Sequence, residues 1–226
     1  MTPWRIGRSW SEAEIQAQLA ALADRTVSFS DAPADPADEA TLAPAPGWTV
    51  ERHETVLGFE PAGPPLGDGL FARSRRAIQD YRFADPRITH GHFDPDAPLL
   101  GRNILVDVHA LMLRFLAGLR VGAVLDRVGG PPGAEQSRFG IRLDTLAGHL
   151  LHGSEWIQVV KEHQSGAVRL RIEVRWRSAP LPAWWMRPGF ALFGRQTQAR
   201  WRRQAARRLR ASPAGVPSRT GTMPRS

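Results

Sequence analysis

The segment AVRLRIEVRWRS, residues 167–178, decides the fold of this chain. Charged side chains, four arginines and a glutamate, alternate along it with an apolar set: Val168, Leu170, Ile172, Val174 and Trp176. A period of two with one apolar face predicts a strand of an antiparallel sheet that is dry on one side and solvated on the other. The preceding segment Glu155–His163 and the turn Gln164-Ser165-Gly166 predict a hairpin with this strand.

Strand composition continues upstream of the hairpin. Turn signals separate four further predicted strands: Asn103–Met112, Leu113–Leu116, Arg120–Val128 and Arg138–Thr145. Gly118 is the expected break between the second and the third. Thr49–Leu57 also has strand composition, and Asp68 can cap a helix that extends to about Tyr81. The turn-rich segment Ala84–Gly101 is expected to be a loop.

The dry face of such a sheet needs a cover, and a long amphipathic helix follows the last strand. Within Phe190–Ala211, every fourth position carries an apolar or small side chain: Phe193, Thr197, Trp201, Ala205 and Leu209. The expected fold is therefore α+β, with a curved antiparallel β-sheet that grips a long C-terminal helix. This arrangement is called a helix grip.

The chain divides by composition into four parts. Residues 1–30 are predicted to be an N-terminal helical extension, because Ser11 and Glu14 have capping-box spacing before Ile15. Residues 31–47 are predicted to be a flexible linker rich in Ala, Pro and Asp. Residues 48–211 hold the helix-grip domain, and residues 212–226 are predicted to be a disordered basic tail.

The totals exclude several classes of chemistry. The 226 residues have no cysteine, which excludes disulfides, thiolate metal sites and cysteine nucleophiles. No cofactor is predicted. The residues before Trp10 lack the apolar core of a signal peptide, and the hydrophobic stretch Ile104–Leu125 contains three charged residues. The expectation is a cytoplasmic protein with no transmembrane segment.

Several short motifs occur in an order that resembles a known family: Gly67-Asp68-Gly69 with Phe71, Arg120–Asp126, Thr145-Leu146-Ala147-Gly148-His149, Gly153, Ser178-Ala179-Pro180 and Gln196. From about Ile6 to Leu209 the chain resembles uncharacterised protein family UPF0548, the DUF1990 domain family. Leu143-Asp144 depart from its pattern, which has Tyr-Gly there. The resemblance implies a fold similar to START and Bet v 1-like (SRPBCC) proteins, in which binding of apolar ligands is common and catalysis occasional.

The first functional hypothesis is a module that binds a small apolar, lipid-like ligand. Its pocket would lie between the inward side chains of the last strand and the C-terminal helix: Val168, Leu170, Ile172, Val174, Trp176, Phe193 and Trp201. The alternative is that these residues form a filled core.

The second hypothesis uses the basic C-terminal end. Ten arginines and no acidic residue lie between Arg187 and Ser226, whereas the net charge of the whole chain is +8. The helix could bind anionic surfaces, either nucleic-acid phosphate or membrane, through an arginine set: Arg195, Arg202, Arg203, Arg207 and Arg210. The alternative is a solvated helix face.

The third hypothesis is an enzyme centred on His149, with Thr145 and Glu155 as further catalytic candidates. The alternative is that His149 braces a turn between Gly148 and Gly153 by hydrogen bonding. A separate metal hypothesis rests on three side chains that share one face of an extended segment: His90, His92 and Asp94. Its alternative is a polar loop.

Overall fold

The alternating segment Ala167–Ser178 forms a strand over the predicted residues and lies within an eight-stranded curved antiparallel sheet. The computed structural model describes residues 3–29, 47–110, 113–178 and 199–212. The strands are β1 (Trp4–Ile6), β2 (Thr49–Phe59), β3 (Thr89–His92), β4 (Asn103–Ala110), β5 (Leu113–Gly129), β6 (Gln136–Thr145), β7 (Leu151–Glu162) and β8 (Ala167–Ser178). They pair in the order β2-β8-β7-β6-β5-β4-β3, and β1 pairs with β5.

Three helices accompany the sheet in the described ranges: α1 (Glu12–Ala20), α2 (Leu70–Gln79) and α3, residues 199–210. The predicted helix Phe190–Ala211 is not confirmed over its full length, because its first half lies outside the described residues. The predicted linker lies outside them too, apart from Gly47, as does the tail beyond Ser212. No helix of the described ranges is both long and apolar enough to cross a membrane.

One face of the sheet, which we call the inner face, packs against α2 and α3. Phe71, Ala77 and Ile78 of α2 share a buried cluster with Ala205, Ala206 and Leu209 of α3. The sheet contributes its alternate inward residues to this cluster: Ile104, Val106, Val121, Phe139, Ile141, Leu143, Ile157, Val159, Val168, Leu170 and Ile172. The period of two in the strands and the amphipathic pattern of the helices thus meet in one core.

The N-terminal extension packs on the opposite, outer face of the sheet. The predicted capping box is present, since Ser11 and Glu14 hydrogen-bond each other's backbone N–H groups. Ile15 and Leu22 form a second core with three residues from the sheet side: Leu105, Leu116 and Leu146. The guanidinium of Arg120 holds the end of the extension by donating to the carbonyl oxygens of Leu22 and Arg25, at 3.0 and 3.1 Å.

The predicted break at Gly118 is wrong. Strand β5 is continuous from Leu113 to Gly129, so the separate strands Leu113–Leu116 and Arg120–Val128 are one element. Gly118 serves a different purpose, because a Cβ at this position would lie 2.6 Å from Cδ2 of Leu22. The glycine allows the extension to approach the sheet closely.

Two further predictions differ from the structure. The predicted loop Ala84–Gly101 contains the edge strand β3, which is held by backbone pairing with β4. Helix α2 has Gly69 rather than Asp68 as its N-cap residue, and Gly69 makes no side-chain cap hydrogen bond. Oε1 of Glu60 instead accepts the N–H of Phe71 at 2.7 Å, which satisfies one of the free N–H groups of the first turn.

Glu60 also pairs with the only lysine of the chain. The side chain of Lys161 is fully buried, and its Nζ donates to Oε2 of Glu60 at 2.8 Å and to the carbonyl of Pro64 at 2.9 Å. Burial opposes ionisation of Glu60, but the hydrogen bonds from Lys161 and Phe71 outweigh it and lower its pKa. A single ion pair therefore ties β7, the loop before α2 and the start of α2 together.

Replacement of Lys161 should unfold the protein more easily. Lys161→Met leaves the Glu60 carboxylate buried and unpaired, so we expect the free energy of unfolding to fall by about 3–5 kcal/mol. Urea denaturation monitored by circular dichroism measures this. The control is Arg82→Met, whose ion pair with Asp80 is exposed, with an expected loss below about 1 kcal/mol. Equal losses in the two variants would contradict a central role for the buried pair.

Candidate functional site

A carboxyl side chain interrupts the hydrocarbon of the inner face near one end of the sheet. Glu155 of β7 lies between Leu143 of β6 and Val174 of β8, and Glu51 of β2 follows Val174 in the same row. The next row is apolar through three strands and ends at a histidine: Ile141, Ile157, Ile172 and His53. The row of Glu155 is therefore where the apolar core gives way to polar chemistry.

Glu155 has no hydrogen bond or ion pair with any residue in the described part of the chain. The residue is partly exposed, but its carboxyl group is surrounded by protein. Burial raises the pKa of Glu155 from 4.5 to about 7, and the positive charge of Arg202 offsets this only in part. At neutral pH the carboxyl is populated in both its protonated and its ionised form, as a proton donor or acceptor needs to be.

Helix α3 brings a cation and an aromatic ring to this end of the inner face. Nη1 of Arg202 donates to Oε2 of Glu51 at 3.3 Å, and the same oxygen lies 3.1 Å from Nε2 of His53. Burial opposes ionisation of Glu51, but the hydrogen bond from His53 and the charge of Arg202 lower its pKa. Nε1 of Trp201 donates to Oγ1 of Thr89 at 3.2 Å, which fixes the indole against β3.

Tyr81 lies two residues beyond the end of α2, within range of the charge of Glu155. Its backbone φ is +54°, in a region that non-glycine residues rarely adopt, and such residues concentrate at functional sites. Its ring occupies the space beside Gly91, where a Cβ would lie 2.3 Å from the ring. Burial, and then the negative charge of Glu155, raise the pKa of Tyr81, so its hydroxyl stays protonated and is available as a hydrogen-bond donor.

Trp176 completes the group. Trp176 of β8 lies opposite Gly153 of β7. It is two residues beyond Val174, which lies opposite Glu155, and is therefore diagonal to Glu155 on the same face. Its indole Nε1 is buried and has no hydrogen-bond partner among the residues that the structure describes. A buried donor without a partner costs stability, so it calls for an explanation. We refer to the following five residues as the Glu155 site: Tyr81, Glu155, Trp176, Trp201 and Arg202.

The three predicted catalytic candidates differ in their surroundings. Glu155 lies in the row described above, and Thr145 lies on the same face beside Gly153, diagonal to Glu155. Thr145 bonds across the β6–β7 connection, since its Oγ1 accepts the N–H of Gly153 at 2.9 Å and donates to the carbonyl of Gly153 at 3.0 Å. Nδ1 of His149 accepts the N–H of Leu151 at 2.9 Å, a brace within the turn. Burial lowers the pKa of His149 to about 4, so the ring is neutral at physiological pH.

The predicted ligand-lining residues fall into two groups. Val168, Leu170 and Ile172 are at most 2% exposed and pack in the core under the helices. Val174 and Trp201 are partly exposed and pack against the rim of that core, and Trp176 is partly exposed as well. Phe193 lies outside the described residues, as does Arg195 of the predicted anion-binding set.

The predicted metal residues are not assembled into a site. His90 and His92 share the outer face of β3, with ring centroids 4.5 Å apart, as their spacing predicts. Asp94 instead closes a turn, because its Oδ1 accepts the N–H of Asp96 at 3.0 Å. Among the residues that the structure describes, no group of three or more His, Asp or Glu could hold a metal ion.

The outer face carries a groove of about 430 Å³ between α1 and residues 94–103. Leu19 and Ala23 contribute to one wall, and Pro98 and Leu100 contribute to the other. Nothing in the described part of the chain indicates an occupant of this groove. We therefore place the candidate site on the inner face, where perturbed ionisable groups converge.

Sequence reasoning did not link Tyr81, Glu51 and Glu155. Their positions in the sequence are far apart, and they come together through strand register and the packing of α2 and α3 on the sheet. One signal was present, because Tyr81 is the only tyrosine of the chain and follows a predicted helix directly. Its significance depends on Gly91, which leaves room for the ring.

The pH dependence of the free energy of unfolding should show the effect of the burial of His149. Between about pH 6.5 and pH 4 the unfolded chain binds a proton at His149 that the folded protein does not, so the contribution of His149 to stability falls as the pH falls. The raised pKa of Glu155 acts with the opposite sign in the same range, so the quantity to measure is the stability of the wild type relative to His149→Asn, which should fall by about 2–3 kcal/mol across this window. Urea denaturation of both proteins at several pH values measures it. The stability relative to the exposed variant His90→Asn should stay constant, and an equally constant value relative to His149→Asn would contradict the assignment.

Comparison with known proteins assigns the chain to a family. Two solved structures are similar to it. The crystal structure of Ara h 8.0201 is 12% identical in sequence, covers 73% of this chain and 97% of its own, and has a TM-score of 0.41. A point mutant of Thalictrum flavum norcoclaurine synthase in complex with a transition-state analogue is 8% identical, covers 72% of this chain and 94% of its own, and has a TM-score of 0.40. No curated protein matches the chain. The family model described as "Domain of unknown function (DUF1990)" matches residues 34–208, and the chain belongs to that family.

Proposed function

We propose that this protein binds a small apolar molecule on the inner sheet face, beside the Glu155 site. One observation carries the proposal: along β8, the inward side chains change from the fully packed Val168, Leu170 and Ile172 to the partly exposed Val174 and Trp176. An apolar face that is closed at one end and accessible at the other suits a ligand that completes the core.

The surroundings of that end fit the usual composition of a small-molecule site. Such sites are mainly hydrophobic and aromatic, with a few polar groups that fix the orientation of the ligand. Trp201 and Phe83 form an edge-to-face pair with centroids 5.9 Å apart, and the Phe83 ring lies 4.8 Å from that of Tyr81. Glu155 and Arg202 supply the polar groups, so the site combines aromatic side chains with two ionisable ones.

Filling the accessible end should block binding. We expect the neutral fluorophore N-phenyl-1-naphthylamine to bind the wild-type protein, and Val174→Phe to weaken its binding about tenfold or more, which corresponds to about 1.4 kcal/mol. Fluorescence titration measures both, on protein whose native mass shows no bound molecule. The matched control is Val128→Phe, because Val128 is a largely exposed strand valine outside the site. A wild-type protein that fails to bind, or equal losses in the two variants, would refute the proposal.

A second candidate function rests on three arginines of α3. Arg200, Arg203 and Arg207 are exposed, follow spacings of three and four, and make no ion pair or hydrogen bond with described residues. Two members of the predicted set are engaged instead: Arg202 with Glu51, and Arg210 with the backbone carbonyl oxygens of β2. A free cationic stripe on one helix face favours binding to an anionic surface.

Neutralising this stripe should abolish binding to anionic vesicles. We expect the triple variant Arg200→Gln, Arg203→Gln, Arg207→Gln to lose most of the affinity of the wild type for phosphatidylglycerol vesicles, since each arginine near such a surface contributes about 1 kcal/mol. Vesicle sedimentation at low and high salt measures this. The control variant neutralises three exposed arginines elsewhere: Arg8, Arg82 and Arg87. Equal retention of binding by both triple variants would exclude the stripe as the agent.

A further inference from the structure

We propose that the Glu155 site binds the carboxylate head of an apolar monocarboxylic acid, with the carboxyl group of Glu155 protonated in the complex. This inference rests on the proposed function, since it names the class of molecule that occupies the same site. The hydrogen-bonding groups of the site that have no partner among the described residues support it.

The unpartnered groups are mainly donors. Nε1 of Trp176 is buried and has no partner within the described ranges. The hydroxyl of Tyr81 has no hydrogen bond in the described part of the chain, and its raised pKa keeps the proton on the oxygen. Arg202 uses one N–H on Glu51 and has no other hydrogen bond among the described residues. A ligand with a hydrogen-bond-donating head would leave all three donors unsatisfied.

A carboxylate satisfies these donors better than a neutral oxygen does. Its two oxygens accept about four hydrogen bonds, and hydrogen bonds to a charged acceptor are about twice as strong as neutral ones. The apolar chain of the ligand would lie along Val174 and Trp201, which pack against the rim of the core. The chemical class is therefore an amphiphile with one carboxylate and a hydrocarbon body.

Glu155 then has to carry a proton. Two carboxylates side by side do not both ionise, so one proton bridges them, and the O–H of Glu155 becomes a further donor to the ligand. The charge of Arg202, on α3, lowers the pKa of Glu155, and the charge of Glu155 raises the pKa of Tyr81, which follows α2. On β2, His53 and Glu51 hydrogen-bond each other, and Glu51 binds Arg202. The pKa of Glu155 near 7 means that protonation costs little at neutral pH.

The test compares three probes with the same hydrocarbon chain: decanoate, decanol and decylamine. Isothermal titration calorimetry from about pH 6 to about pH 9 measures their affinities for the full-length protein. We expect decanoate to bind most tightly at the acid end and to weaken about tenfold per pH unit above pH 7, because binding takes up one proton. Glu155→Gln mimics the protonated carboxyl, so decanoate should bind this variant with no such pH dependence. Glu54→Gln, on the outer face, should retain the wild-type profile.

The outcomes separate the inference from the proposed function. Tighter binding of decanol or decylamine, with an affinity that rises with pH, would overturn the carboxylate assignment and leave apolar binding intact. A pH dependence that persists in Glu155→Gln would show that a different group takes up the proton and would overturn the role of Glu155. Failure of all three probes to bind a protein that binds N-phenyl-1-naphthylamine would overturn this inference alone, and failure of the fluorophore as well would overturn both proposals. If Glu155→Gln fails to fold, the wild-type pH profiles of decanoate and decanol still decide, because only decanoate binding should take up a proton.

Discussion

Burial of the inner face of the sheet under two helices is the interaction on which the rest of the structure depends. An antiparallel sheet with one apolar face gains its stability only when that face is covered, because removal of hydrocarbon from water is the main favourable term in folding. Helix α2 and the described part of α3 provide the cover through residues such as Ile78 and Leu209, which are fully buried. The N-terminal extension occupies the outer face without contributing to this core.

The two ends of β7 show how the same residue type acquires different properties. At one end of the inner face, Lys161 and the N–H of Phe71 satisfy the carboxylate of Glu60, and its pKa is lowered. At the other end, burial of Glu155 without a hydrogen-bonding partner raises its pKa to about 7. The presence or absence of hydrogen-bonding partners decides the direction of the pKa shift, since both carboxyl groups lose solvation. The first end is built for stability, whereas the second retains the unpaired polar groups that a ligand site needs.

Several arginine side chains of this protein have a structural role, because they hydrogen-bond to backbone carbonyl oxygens. Arg120, Arg208 and Arg210 donate to backbone carbonyl oxygens and so hold segments to the sheet or to one another. The planar guanidinium, with five N–H groups, suits this role better than an ammonium. A high arginine count is therefore not in itself a sign of nucleic-acid binding. In α3, only the arginines without such contacts remain available to an external partner.

The sequence by itself determined the elements whose pattern is local. The alternation of β8, the hairpin with β7, the capping box at Ser11 and the sheet class follow from neighbouring residues, because period and capping are properties of short segments. Only the tertiary structure decided the continuity of β5 through Gly118, the edge strand β3 and the different hydrogen bonding of Glu155, His149 and Thr145. Those outcomes depend on register and on contacts between residues far apart in the chain. The protonation state of Glu155 in particular depends on its burial and on the charge of Arg202, which α3 places near it across the core. No local sequence pattern encodes that arrangement.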